Sequence, residues 1–341
     1  LLAIHVGNEH TVLLCRTGEV YTAGYNDNGQ CGQGTTQRVG ELTRVSIAGG
    51  RKAVQVHAYN GCEHTIVVMD DGGMISFGYN YRGQLGHGTT SSEPMPKPVR
   101  GLDGIRVEQV SCSYYHSIIA CNNGEVTGLN LIPVYTFGRN DFGQLSSGDT
   151  IDRKLPCLVD SLRGQRATSL ACGQYHTVVS TLEVGVQSCG KNDYGQLGLK
   201  SAEPRKTFVA VKEALDGTQV RHLRCGYYHT IVLAVGDHVF GFGRNDYGQL
   251  GLGHTTQRVF GPKLIEGAER KGVSKVSAGC YHTVLIGSDG MLFVFGRNHH
   301  GQLGTGDTNE RHSPFPVSTF LGKRIAKVAA GFYHTIVLTG G

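Results

Sequence analysis

Two short phrases recur along this chain at near-even intervals, and together they restrict its fold more than any other feature. The first is a histidine followed by a small hydroxyl residue: His10, His64, His116, His176, His229, His282 and His334 precede Thr, or Ser117 in one case, at spacings of 54, 52, 60, 53, 53 and 52 residues. The second is a glycine-rich turn, "GYNDNGQCGQG" from Gly24, "GYNYRGQLGHG" from Gly78, "GRNDFGQLSSG" from Gly138, "GKNDYGQLGLK" from Gly190, "GRNDYGQLGLG" from Gly243 and "GRNHHGQLGTG" from Gly296. A catalytic loop is needed once, so six copies mark a repeated structural unit.

The residues between the two phrases predict strands. In "HTIVLAVGDHVFGFG" from His229, a β-branched apolar run leads out, a glycine turn reverses it, and a second apolar run returns. A further strand precedes each histidine, as in "RVEQVSC" from Arg106, and another segment follows the turn. Four strands in about 50 residues is the size of one propeller blade. A length of 341 residues would ordinarily split into two or three domains, but each repeat adds its own slice of core, so one domain over residues 1–341 is expected. The 51 Gly, 9 Pro and 17% charged residues suit short strands and tight turns.

On these phrases the chain resembles the regulator of chromosome condensation repeat superfamily (RCC1-like domain). The resemblance implies an all-β, seven-bladed β-propeller of four-stranded antiparallel blades. Seven histidines against six turns leave the last blade, ending "GFYHTIVLTGG", incomplete within this chain, which suggests a piece of a larger polypeptide. Two departures stand out. The tryptophan usual before the turn glycine is replaced by Ala23, Phe77, Phe137, Cys189, Phe242 and Phe295, and Ser146 stands where "GQLG" expects glycine.

Several chemistries fall away. A net charge of +5 with scattered Lys and Arg does not point to nucleic acid. No apolar run reaches the roughly 18 residues of a membrane helix. The N-terminal "LLAIHVGNEHT" lacks the basic and apolar segments of a signal peptide. Ten cysteines without a C-x-x-C pair read as reduced thiols, giving a cytoplasmic or nuclear location as the default. Cys and His four apart in "CSYYH", "CGQYH" and "CGYYH" suggest zinc, but equivalent positions of successive blades do not converge, so no metal is expected. The glycine turns lack the Lys-[Ser/Thr] and helix of a phosphate loop, and no nucleophile has a base, so neither cofactor nor catalytic residue is assigned.

A hairpin brings the histidine and glycine turns to one face. Before the histidine stand Tyr115, Tyr175, Tyr228, Tyr281 and Tyr333 in five consecutive blades, and one position earlier Tyr114, Tyr227 and Phe332. After the turn glycine stand Arg139, Lys191, Arg244 and Arg297, three of them two positions before Asp141, Asp193 and Asp246. Tyr and Arg are enriched at binding hot spots, so this face is the expected protein-binding surface, with the cations as exposed steering charges and Glu9 and Glu63 making it lopsided. An apolar eight-residue insertion, Thr127 to Val134, is expected at the opposite face. The resemblance implies a non-catalytic docking module of a larger protein such as a ubiquitin ligase. Its alternative is guanine nucleotide exchange on a Ran, Rab or Arf type GTPase, for which the protruding element after the third turn glycine is replaced by the ordinary "GRNDFGQL". Ultraviolet-B reception through tryptophans on the same turn, also known in this family, has no counterpart in a chain with 0 Trp.

Overall fold

The computed structural model describes residues 1–59, 61–122 and 133–340. It is an all-β propeller. The fifth blade shows the plan: Val220–Cys225, His229–Ala234, Val239–Arg244 and Arg258–Leu264 form one antiparallel sheet in chain order. Every residue of its second strand is buried, because both faces of the sheet are covered by neighbouring blades. The outermost strands are exposed, and edge strands such as Glu93–Pro98 carry prolines, which cannot donate to a foreign strand.

Among the described residues six sheets are four-stranded, and the last holds only Ile325–Ala330 and Thr335–Thr339. The structure therefore has six complete blades where the repeat count suggested seven, and its two-stranded sheet is the incomplete one. That sheet packs against the first: Ala329 joins Ile4 and Val6 in one apolar cluster.

Adjacent blades are fastened by the histidines. His176 Nε2 lies 3.0 Å from Thr230 Oγ1 in the next blade, and Thr230 Oγ1 donates to the Gln196 carbonyl at 2.9 Å. The same relay runs from His10 through Thr65 to Gln30, from His64 through Ser117 to Gln84 and from His116 through Thr177 to Gln144. It continues from His229 through Thr283 to Gln249 and from His282 through Thr335 to Gln302. Because each hydroxyl hydrogen is spent on a carbonyl, the histidine must donate from Nε2–H, and burial with no acceptor facing Nδ1 keeps the ring neutral. The glycine three residues earlier makes room for that ring, since a Cβ on Gly173 would sit 2.0 Å from His176 Cε1. Ser113 replaces this glycine in the third blade, and its hydroxyl donates to His116 Nδ1 at 2.9 Å.

The Asn that recurs in each glycine turn is equally occupied. Asn245 Oδ1 accepts the Leu250 N–H at 2.9 Å while Nδ2 donates to the His254 carbonyl at 2.8 Å, so one buried amide holds both arms of the loop. No phosphate is required to explain the motif.

Two of the departures from the family pattern, Cys189 and Ser146, are one adjustment. At four blade interfaces a Phe ring (Phe77, Phe137, Phe242, Phe295) covers the second turn glycine of the preceding blade (Gly32, Gly86, Gly198, Gly251), where a Cβ would lie 2.7–3.2 Å from the ring. Between blades three and four the pair is Ser146 and Cys189. Ser146 keeps the left-handed φ of 59°, and its Oγ accepts the Phe208 N–H at 2.8 Å. The smaller Cys189 leaves space for that side chain, which a phenyl ring would not.

Two outcomes follow from this packing. Cys189→Phe alone should cost about 1–3 kcal/mol by overpacking, and adding Ser146→Gly should recover much of it; chemical denaturation of the four proteins of this double-mutant cycle would show near-zero coupling if the two positions were independent. The second concerns pH. Burial holds His10, His64, His116, His176, His229 and His282 at a pKa of about 3, against an ordinary 6.5. Between those values the unfolded chain binds protons that the native one refuses, so stability is full above pH 6.5 and falls as pH drops toward 3. Each histidine should contribute a slope of up to about 1.4 kcal/mol per pH unit. Denaturation midpoints measured from pH 7 to pH 5 should fall steeply, less so in His176→Gln, and a flat profile would contradict the neutral relay.

Candidate protein-recognition face

The register of each inner hairpin builds this face. His229 pairs with Gly243, and the five preceding and following blades repeat the pairing, so the residue before each histidine and the residue after each turn glycine emerge together. Backbone hydrogen bonds lock them: the N–H groups of Arg139, Lys191, Arg244 and Arg297 donate to the carbonyls of Tyr115, Tyr175, Tyr228 and Tyr281 at 2.8–2.9 Å.

The side chains then interleave. Tyr115 stacks near Tyr175 with centroids 6.3 Å apart, and Tyr175 near Tyr228 at 6.0 Å. The Arg139 guanidinium carbon lies 4.9 Å from both the Tyr115 and Tyr175 centroids, a cation held between two π faces. Lys191 caps Phe142 and Tyr175, and Arg297 approaches Tyr247, Tyr281 and Tyr333. Arg244 is ringed by Tyr194, Tyr228, Tyr247 and Tyr281 at 5.1–5.9 Å. Tyr281 continues to Phe332 at 6.1 Å and Phe332 to Tyr333 at 4.1 Å. The result is an arc of alternating rings and cations across blades three to seven.

Sequence reasoning missed four of the rings. Phe142, Tyr194, Tyr247 and His300 occupy the position just before "GQ" in four consecutive turns, and each meets the tyrosine of the following blade at 4.7–5.6 Å. Reading that column of the repeat alongside the other two would have found them.

Three expectations about this face change. Tyr227 is only 6% exposed: it points to the axis, 5.0 Å from Phe332, and a Cβ on Gly61 would lie 3.2 Å from both rings, so these side chains close the axial channel at this end. Tyr114 donates its hydroxyl to Glu63 at 3.0 Å, and burial followed by the Glu63 charge pushes its pKa far up. Glu63 also receives the Asn8 and Asn28 amides at 3.1 Å and is buried, so Glu9 alone stands exposed of the two acids expected to unbalance the surface. Third, the cations are not free steering charges. Arg244 is 19% exposed at its side chain and grips Asp246 through Nε and Nη2, Arg139 pairs with Asp141, and Lys191 with Asp193 at 3.0 Å. Arg297 differs: His299 Nδ1, 3.4 Å from its Nε, stands where the others have Asp.

The insertion from Thr127 falls outside the described residues up to position 132. Its expected end at Val134 is corrected, for Val134 pairs with Ala120 as Val239 pairs with Leu233, and the Cys121 N–H donates to the Pro133 carbonyl at 2.9 Å. Pro133 and Val134 thus belong to the regular hairpin.

Because Arg244 is clamped by a carboxylate and four rings, Arg244→Glu should lower stability by about 2 kcal/mol, placing like charges together in a half-buried site. Arg297→Glu, lacking the acidic neighbour, should cost less than about 1 kcal/mol. Thermal melts of the two variants distinguish this arrangement from freely exposed arginines, for which both would melt like the parent.

Comparison with known proteins agrees with the repeat geometry. Human WBSCR16 superimposes with a TM-score of 0.84 at 25% identity, covering 99% of this chain and 86% of that one. Prp20p of Saccharomyces cerevisiae gives 0.82 over 99% and 82% at 18% identity, a likeness of fold alone. The ultraviolet-B receptor UVR8 of Arabidopsis thaliana is 31% identical over 340 residues, 99% of this chain and 74% of that protein. Human E3 ubiquitin-protein ligase HERC2 is 30% identical over 334 residues, 97% of this chain but 7% of that protein. The model of the RCC1-like domain matches residues 1–337. With its histidine relays, its asparagine-held turns and this match along nearly its whole length, the chain belongs to the RCC1-like domain family.

Proposed function

We propose that this propeller is a non-catalytic protein-recognition module, and that its partner docks on the arc of Tyr115, Tyr175, Tyr228, Tyr281 and Tyr333 with their interleaved cations. The continuity of that arc carries the reading. A single tyrosine packed on its own blade needs no partner, whereas aligned, half-exposed rings held rigid by cations lower the entropic cost of binding. Pairing of the cations with Asp makes them rigid hydrogen-bond donors, so affinity is expected to reside in the rings and the arginines to orient them.

In this reading the two-stranded sheet is the inner half of a seventh blade, and the propeller serves as one module of a larger protein. A host protein of the size of the HERC ligases, 7% of whose length this chain matches in HERC2, is consistent with that, and a reducing cytoplasmic or nuclear location suits ten cysteines, none of which is in a disulfide. Nucleotide exchange is the weaker reading. The third turn keeps the same Asn-held geometry as its neighbours, with Asn140 Oδ1 accepting the Leu145 N–H at 2.9 Å, and projects no extra element toward a GTPase. Accordingly, the propeller should not accelerate nucleotide release from Ran, Rab or Arf proteins.

The test is the paired variant Tyr175→Ala/Tyr281→Ala. It should weaken the principal protein partner by more than about 2 kcal/mol, roughly 30-fold in Kd. Leu182→Glu, at an exposed hairpin tip on the other face, should bind normally. The reverse pattern, with Leu182→Glu losing the partner and the tyrosine variant keeping it, would put recognition on the wrong face for this proposal.

A further inference from the structure

The innermost strands line the propeller axis, and the side chains they turn inward form two tiers. The upper tier is the residue paired with the second position after each histidine: His5 opposite Val12, His57 opposite Ile66, Arg224 opposite Ile231. The lower tier, two residues earlier, includes His222 opposite Leu233, Lys275 opposite Ile286 and Lys327 opposite Leu338. At the remaining blades both tiers hold only Ala, Ser or Gln. The inward positions thus carry three permanent cations and three histidines, gathered on blades five, six, seven, one and two, and no acid.

These groups surround a cavity of about 250 Å³ lined by His5, Tyr59, His222, Arg224, Lys275 and Lys327, with Ser277 between them. No Asp or Glu is among the described residues that line it. Tyr59 belongs to two extra residues that the second blade carries between its first strand and its histidine, and its hydroxyl lies 3.4 Å from His5 Nε2. The cations take what neutral acceptors they can: Arg224 donates to the Leu223 carbonyl at 2.7 Å, and Lys275 to the Ala326 carbonyl at 3.4 Å. His5 Nδ1 and His57 Nδ1 are buried with no hydrogen-bond partner among the described residues. Burial and then the charge of Lys275 hold the Lys327 ammonium below its ordinary pKa, the mark of a cationic cluster short of a counter-charge. Elsewhere in this chain exposed cations are routinely paired, as in Arg221 with Asp237 and Arg153 with Asp149.

We propose that the axial cavity binds a small, multiply charged anion of the phosphate class, with Arg224, Lys275 and Lys327 supplying the charge and Ser277, Tyr59, His5 and His222 the further polar contacts. Charge balance favours phosphate over a single carboxylate: one negative charge would leave the cluster cationic, whereas a phosphate dianion or pyrophosphate approaches neutrality and offers acceptors in several directions. Entry is from the hairpin-tip end, because Tyr227 and Phe332 close the other and Lys275 is exposed. The site is separate from the tyrosine arc and does not depend on that arc binding a protein.

The probe is inorganic pyrophosphate, with sodium chloride at equal ionic strength as the control and citrate as the carboxylate comparison. Titration calorimetry and thermal melts of the full chain should show saturable binding and an upward shift in Tm with pyrophosphate, at least tenfold tighter than with citrate. Lys275→Gln/Lys327→Gln should weaken binding tenfold or more, while without anion it melts at or above the parent temperature, since it relieves unpaired like charge. Lys206→Gln, on an outer strand, should bind as the parent does. Pyrophosphate line broadening in phosphorus NMR gives the same answer on the unaltered chain should the variant fold poorly. The proposal is overturned if pyrophosphate does no more than matched chloride, if citrate binds as tightly, or if the double variant binds as the parent does.

Discussion

Everything in this propeller hangs on a hydrogen bond that crosses from blade to blade: a neutral histidine Nε2–H to a Thr or Ser hydroxyl, which donates onward to a glutamine carbonyl in the first blade's own turn. No sheet pairing joins the blades, which share only single backbone hydrogen bonds such as Gly148 N–H to the Lys206 carbonyl at 3.0 Å, and apolar burial by itself is not directional. The relay sets the angle between neighbours, because three polar groups must meet within about 3 Å in a dry interior where an unmet donor is costly. It also dictates composition, since the ring lies so close to the preceding turn that at Gly7, Gly173, Gly226, Gly279 and Gly331 an added Cβ would press on it.

That rigidity makes the aromatic face what it is. A tyrosine one residue before an immobile histidine inherits a fixed backbone, and an arginine one residue after the opposite glycine is bonded to that same tyrosine's carbonyl. Repeating the pair around a ring of fixed pitch brings each cation within 4.8–5.9 Å of rings from two blades. The interior of the ring follows the same geometry with different chemistry. Its first strands must pass the axis, where side chains from all blades share a narrow space, and this chain fills that space with cations on one side and caps it with Tyr227 and Phe332.

The departures from the repeat are informative for the same reason. Ser146 and Cys189, far apart in sequence, make sense only as a pair across one blade interface, where the hydroxyl side chain occupies the room a phenyl ring takes elsewhere. Val134, read from spacing as the end of an insertion, proves to be an ordinary hairpin residue, because strand pairing counts from the histidine rather than from the length of the connection.

By itself the sequence determined the repeat, its period, the strand order within a blade and the face to which the tyrosines and cations belong, since each of these depends on local pattern: alternation along strands, turn glycines and hairpin register. The asparagine and histidine phrases were legible as structural for the same reason. Only the tertiary structure decided which of those residues stay at the surface. Tyr227 and Tyr114 occupy the same repeat position, yet one plugs the axis and the other binds a buried Glu63, because their neighbours from other blades differ: Phe332 and Gly61 for the first, Glu63 for the second. The axial cluster of Arg224, Lys275 and Lys327 was likewise invisible, for its members lie 51 to 103 residues apart and meet only when the ring brings the blades together around one axis.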